Sequence, residues 1–208
     1  AMAYATYATG YKAGGFTLDS PPYNTYQPER LRSVEAGLKS RLLDNKLQLN
    51  LSGFHYSYEN YQVSTLGVTH YGGITAMVFN SQGTTKIYGA ELQVSYLLTP
   101  NDQFSLSVSP LHAKFGTFIV DTVPVPQDVS GFELPSAPKL SGTASYKHDW
   151  QLANGKLSAA AQSFFSSSYW VDFAHATNSE RPGYTRTDMN LTYSGVDDKW
   201  SIGAFVKN

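Results

Sequence analysis

Residues 84–98 (TTKIYGAELQVSYLL) alternate strictly: Tyr88, Ala90, Leu92, Val94, Tyr96 and Leu98 fall on one phase, and Ile87, Gly89, Glu91, Gln93 and Ser95 on the other. Successive side chains of a strand point to opposite faces, so a period of two predicts a β-strand with one apolar and one polar face. The apolar phase carries a tyrosine near each end, Tyr88 and Tyr96. Eight steps at ~3.3 Å place these rings ~26 Å apart along the strand, or ~20 Å apart in height at a tilt of ~40°. That is roughly the separation of the two aromatic girdles on the lipid face of a membrane barrel.

The alternation recurs along the chain. Strands are predicted over residues 3–11, 29–41, 46–58, 84–98, 104–118, 138–150, 156–171, 184–194 and 200–206. In 29–41, Val34, Ala36 and Leu38 oppose Glu35, Gly37 and Lys39; in 138–150, Leu140, Gly142, Ala144 and Tyr146 oppose Ser141, Thr143, Ser145, Lys147 and Asp149. In 184–194, Met189, Leu191 and Tyr193 oppose Arg186, Asp188 and Asn190, and Trp200, Ile202, Ala204 and Val206 share a phase in the last segment. Asp44-Asn45, Pro100-Asn101-Asp102, Asn154-Gly155 and Asp197-Asp198 read as tight turns. The other connections, residues 12–28, 62–83, 119–136 and 172–183, are long; the first is rich in Gly and Pro and predicted too broken to pair.

Two segments strain the pattern. In 104–118 the apolar phase flips between Val108 and Leu111, and Pro110 at the flip predicts a β-bulge, because proline lacks the ladder donor. In 46–58, Leu47, Leu49 and Leu51 share one phase while Phe54, Tyr56 and Tyr58 share the other. Either a bulge near Ser52-Gly53 resets the phase, or the rings face the polar side.

About nine strands of ~10–14 residues exceed the usual ~5–6 of soluble sheets. Short turns at one end and long loops at the other predict an all-β, antiparallel, up-and-down transmembrane barrel. A soluble sandwich would have shorter strands and no such asymmetry.

Composition agrees. Of 208 residues, 15% are charged and 14% aromatic, with 15 tyrosines, against about a quarter charged in an ordinary soluble domain. A net charge of -1 argues against a nucleic-acid partner, which needs a basic surface. Without cysteine, disulfides and thiolate metal sites are excluded. A run of ~18 apolar residues, as a transmembrane helix needs, is absent, and a mean hydropathy of -0.30 fits strands whose two faces average out. The N-terminal stretch lacks the basic start and apolar core of a signal peptide, so an exported chain is expected to begin elsewhere.

Candidate chemistry is sparse. His55, His70, His112, His148 and His175 show no metal-binding spacing, Ser167 lies in SFFSSSYW rather than a glycine-flanked elbow, and no Lys-Ser/Thr pair follows Gly14-Gly15 as a phosphate loop requires. The expectation is no enzyme, no metal and no cofactor. Glu35, Lys39, Glu91, Lys147, Asp149, Arg186 and Asp188 all fall on polar phases. They suit a wet lumen where charges hydrate and cross-pair, and some can contact a domain inside the barrel, where an unpaired charge is costly.

The segments YATYATGYKAGGF, PERLRSVEAGLKSRLLDNKLQLNLSGFHYSYENYQ, VFNSQGTTKIYGAELQVSYLLTPNDQFSLSVS, GFELPSAPKLSGTASY, YTRTDMNLTYS and WSIGAFVKN, in this order, resemble the C-terminal half of the barrel of a TonB-dependent outer-membrane receptor. The resemblance implies about nine of the ~22 strands of such a transporter, with the plug domain, TonB box and first barrel half outside residues 1–208, so that the sheet here is open and the chain a fragment. It implies a location in the bacterial outer membrane and the import of a scarce ligand, most often a ferric siderophore, with energy transmitted by TonB through the plug. The implied partners are membrane lipid, the plug and remaining strands, the TonB complex and a small-molecule ligand. Tyr88, Leu92, Val94, Tyr96, Tyr146, Leu191, Tyr193 and Trp200 are then lipid-facing or girdle residues. Loop residues placed to meet an aromatic or anionic chelate are Tyr23, Tyr26, His70, Tyr71, His175 and Arg181, the guanidinium suiting planar anions. Tyr169 and Trp170 read more readily as interface anchors. A passive porin-like channel and a soluble β-rich binding module are the alternatives.

Overall fold

The computed structural model describes residues 1–19, 21, 24–121 and 125–208. Nine of the described strands form one antiparallel sheet in chain order: β1 (Met2–Lys12), β2 (Glu29–Leu42), β3 (Leu47–Glu59), β4 (Thr85–Thr99), β5 (Asp102–Lys114), β6 (Leu140–Leu152), β7 (Gly155–Ser166), β8 (Tyr184–Gly195) and β9 (Ser201–Val206). β1 and β9 lie at the two ends with one neighbour each, so the sheet does not close. The strands other than β9 run 11 to 15 residues, enough to cross a hydrocarbon layer at a tilt.

Directly paired residues on neighbouring strands share a face, so the register sorts the side chains. One row crosses the apolar face through Leu38, Leu51, Leu92, Val108 and Gly142. Another runs through Leu42, Leu47, Tyr96, Phe104, Tyr146, Ala161, Met189 and Val206. Nearer the loops, Tyr7, Val34, His55, Tyr88 and His112 form a third. Among the described residues, no strand residue of this face belongs to the buried hydrophobic core, and Leu38, Leu51, Tyr88, Tyr146, Met189 and Leu191 are exposed. The opposite face carries Glu35, Lys39, Asn50, Ser52, Glu91, Gln93, Ser105, Ser107, Lys147, Asp149, Arg186 and Asp188.

The register corrects the expected bulge. Gly89 pairs with Leu111 and Leu92 with Val108 at one constant offset across Pro110, and the irregularity of this pair lies near the turn, between Leu97 and Thr99. Pro110 stays in register, and β4 approaches it closely at Gly89, where a Cβ would stand 2.5 Å from the Pro110 carbonyl oxygen. The apolar phase flips because the polar face itself turns apolar near the loops: Leu111, Ala113 and Phe115 pack into a core beneath them.

β3 is settled by the same logic. It keeps one register with β2 and with β4, so no bulge occurs at Ser52-Gly53. Leu47, Leu49 and Leu51 join the apolar face, while Phe54, Tyr56 and Tyr58 stand on the polar one, opposite Gly89, Ile87 and Thr85.

Short turns close one end. At the first, Leu43, Asp44 and Asn45 all take positive φ, and Lys46 N–H donates to the Leu43 carbonyl at 3.0 Å. The long connections at the other end contain further pairing. Within residues 12–28, expected too broken to pair, Gly15-Phe16 and Thr25-Tyr26 form a ladder of two residue pairs. Gln62–Val68 pairs with Ile74–Asn80 over seven residue pairs, and shorter ladders join Ile119–Val120 to Gln127–Asp128 and Tyr169–Trp170 to Glu180–Arg181.

Candidate functional site: the loop layer and the polar wall beneath it

The buried hydrophobic core gathers at the loop end. Val63, Ala113, Phe115, Phe118, Val120, Val129 and Leu134 form one cluster, with Tyr61, Phe79, Ile87, Leu111, Phe132, Ala137 and Phe173 packed against it. Phe118, Val120 and Val129 are fully buried. A chain of edge-to-face rings leads into this core from the strands: Tyr58 to Tyr61 at 5.3 Å, Tyr61 to Phe115 at 5.7 Å and Phe115 to Phe118 at 5.2 Å between centroids. Edge-to-face pairs at these distances match the ring quadrupoles. Burial pushes the Tyr61 phenol above its ordinary pKa, and Glu29 and Tyr58 add to the shift.

Polar side chains tie each long loop to the next. Between the first two, Gln27 N–H donates to Asn80 Oδ1 at 2.6 Å, and Asn80 Nδ2 donates to the carbonyls of Gln27 (3.0 Å) and Asn60 (2.8 Å). Buried Gln62 adds Nε2 bonds of 3.0 Å to the Ala13 and Gln27 carbonyls. Asp19, its side chain fully buried, accepts from the His70 backbone N–H at 3.0 Å and faces His70 Nδ1 at 2.9 Å. Between the second and third, Gln82 imitates a strand: Nε2 donates to the Ile119 carbonyl (3.1 Å) and Oε1 accepts from Ile119 N–H (2.7 Å). Between the third and fourth, Ser136 N–H donates to the Trp170 carbonyl at 2.7 Å. There His175 lies between the rings of Phe132 and Trp170, at 4.5 and 4.3 Å, with Nε2 2.9 Å from the Glu133 carbonyl oxygen.

The residues expected to contact a ligand are spread over the long loops. His70 and His175 are engaged in joining loops, and Trp170 is stacked on His175. Tyr26 is half-buried over Gly15, where a Cβ would meet its hydroxyl at 2.6 Å. Tyr71 is 83% exposed at the tip of a hairpin, and Arg181, paired in register with Tyr169, is exposed and in no ion pair among the described residues. Tyr23 lies outside the described residues.

Below the loops, Phe54 stacks on Tyr56 at 4.8 Å, and Tyr56 pairs across the strands with Ser33 and Ile87. Further down, Tyr4 donates its hydroxyl to Glu35 Oε1 at 2.6 Å, and Lys39 Nζ stands 5.4 Å from the Tyr4 ring centroid. Lys147 Nζ meets Asp149 Oδ2 at 3.0 Å, and Asp188 Oδ1 accepts from Asn208 N–H at 3.3 Å. The polar wall thus offers ring faces and phenols above and, lower down, a phenol-bound Glu35 and a same-strand Lys147–Asp149 pair. The loop-joining amides, Asn60, Gln62, Asn80 and Gln82, escaped the sequence reading. Their signal was their placement, two at each root of the second long loop.

The family described as TonB dependent receptor-like, beta-barrel, matches residues 1–208. The chain is similar in structure to the ferric yersiniabactin uptake receptor FyuA of Yersinia pestis (TM-score 0.74, 16% identity) and to the siderophore receptor PiuA of Acinetobacter baumannii (TM-score 0.75, 21% identity). In both cases 99% of this chain covers 29% of the other. The copper transporter OprC matches at TM-score 0.67 and 16% identity, 99% of this chain covering 31% of it.

Proposed function

Because the chain belongs to the TonB-dependent receptor-like β-barrel family, and so lies in the bacterial outer membrane, we propose that its nine strands are part of the wall of a larger barrel that imports a ferric siderophore or similar iron complex. In this reading the apolar face meets lipid and the polar face lines the lumen. Glu35, Lys39, Glu91, Lys147, Asp149, Arg186 and Asp188 then face a plug domain, and TonB supplies the energy by acting on that plug. The remaining strands of the receptor complete the pairing of β1 and β9, since lipid does not tolerate open edges.

The observation that carries this reading is the pairing of two unlike surfaces on one sheet. An uncovered apolar face of this extent marks a membrane or partner surface. Its reverse is polar and ends beneath a continuous loop layer, which suits capture of a ligand from outside. Tyr71, Arg181 and Tyr26 are the loop contacts this reading retains. His70 and His175 act by holding the loops in place, and Tyr56 and Tyr58 form the wall below.

Uptake of a radiolabelled ferric chelate by iron-starved cells tests the proposal. Deleting the receptor or TonB should abolish uptake. Chelate uptake that persists without TonB would instead favour a passive channel, and loss of copper uptake alone would move the substrate away from iron.

A further inference from the structure

A row of polar side chains crosses the apolar face at its loop end: Thr9, Arg32, Ser57, Lys86 and Lys114 are successive register partners on β1 to β5. Lys86 and Lys114 stand directly opposite each other. Like charges in that relation repel and destabilise a sheet, with Cβ atoms only about 4.5–5.5 Å apart. The carboxylates nearby are engaged elsewhere. Glu59 holds Arg32 at 2.7 Å, and Glu133, which faces Lys114 across an isolated bridge, holds Lys139 at 2.6 Å. Neither Lys86 nor Lys114 forms an ion pair among the described residues. Arg30, the register partner of Glu59, adds another positive charge beside the row.

One pleat toward the membrane lies the row with His55, Tyr88 and His112. The Tyr88 ring is stacked between the two imidazoles, at 6.2 Å from His55 and 4.5 Å from His112. A stacked aromatic surface suits the boundary between headgroups and acyl chains. Lys86, two residues beyond Tyr88, then stands ~5 Å higher at the usual rise and tilt. That is the level of the headgroups in the leaflet on the loop side.

We propose that Lys86 and Lys114 form a binding site for the phosphate group of an outer-leaflet lipid headgroup, with Arg32 and Ser57 at its edge and the Tyr88 stack beneath. Two ammonium groups carried on directly paired positions of one face can share a dianionic phosphate as paired charges, and the bound anion removes their mutual repulsion. A lipid is the occupant the surroundings favour, because a free anion gains nothing from the adjoining apolar face.

Full-length receptor in phosphatidylethanolamine nanodiscs tests this, with bis-phosphorylated lipid A or its dephosphorylated form added as the probe. Native mass spectrometry should detect one retained phosphorylated molecule per receptor, and at least tenfold less of the dephosphorylated form. K86Q/K114Q should lose that preference at least tenfold. K86R/K114R should keep it, and K199Q, at the opposite end of the sheet, should leave it unchanged. Equal retention of both lipids by the wild type, or no change in K86Q/K114Q, would overturn the proposal. So would displacement of the lipid by millimolar inorganic phosphate, which would mark the site as one for a free anion. Thermal unfolding of each variant without added lipid controls for folding.

Discussion

Ring and glycine positions are coupled across strands, and the coupling makes apparently similar glycines unequal. A Cβ at Gly37 would lie 2.6 Å from the Tyr4 ring, and one at Gly89 would meet the Pro110 carbonyl at 2.5 Å and Phe54 at 2.9 Å. At Gly53 the nearest atom, the Gly89 carbonyl oxygen, is 3.8 Å away, an ordinary contact. Gly89→Ala should therefore destabilise the barrel by about 1–3 kcal/mol through overpacking, whereas Gly53→Ala should leave it unchanged. The heat-induced mobility shift of the receptor on gels reads both. Leu92→Arg places a charge near mid-height of the apolar face and should cost about 2–4 kcal/mol by the same assay. The phase of Gly37 and Gly89 was legible from alternation alone, whereas that of Gly53 was fixed only by the register of its strand with both neighbours. Which ring covers which glycine was not, because that depends on register between strands far apart in sequence.

At the scale of elements, the loops are held by side chains acting on neighbouring backbones. Gln82→Ala removes both bonds to Ile119, each worth about 0.5–1.5 kcal/mol. The Ile119 amide should then exchange its hydrogen roughly tenfold faster, while exchange in β4 and β5 stays unchanged. The loop layer should also loosen in acid. Burial opposes ionisation of Asp172, but hydrogen bonds from Ser179 and from the Ala174 and Ala176 N–H groups outweigh it and lower its pKa from 3.8. Bonds from the Ser130 hydroxyl and N–H likewise lower Asp128. A depressed carboxyl contributes stability fully above its unfolded pKa and loses it as the pH falls through the folded value. Protease resistance of the loops should accordingly hold from neutral pH to about 5 and decline below about 4, and Asp172→Asn should flatten the change around residues 172–183. Strands and tight turns were readable here because each is local. The Pro110 flip was misread because the reversal of apolar phase has two physical causes, a displaced strand or a changed neighbour, and only the packed loops distinguish them. The amide ties were illegible for a related reason: a glutamine reveals its partner only when the other loop is in place.

For the whole molecule, the open sheet leaves β1 and β9 with unpaired edges, and unpaired strand edges recruit other chains. Residues 1–208 expressed alone and refolded in detergent should give aggregates without a heat-dependent mobility shift. A receptor supplying the strands beside β1 and β9 should show the shift. Alternation and loop asymmetry made this architecture legible, while the arrangement of the candidate ligand residues lay in long-range contacts. His70 and His175 illustrate the limit: nothing in the alternation showed that Asp19 would stand beside one and Phe132 and Trp170 against the other.

The constant offset between neighbouring strands has a consequence for how such a sequence can vary. One extra residue within β3 would turn Leu47, Leu49 and Leu51 inward or Phe54, Tyr56 and Tyr58 outward, because a single-step slip exchanges the faces. Length changes are thus confined to the hairpin tips, such as Tyr71-Gly72, where the chain is exposed and Gly72 takes a φ of 84°. The wall acts as a fixed ruler, and an inserted or deleted residue is accommodated without exchanging the faces only in what rises above it.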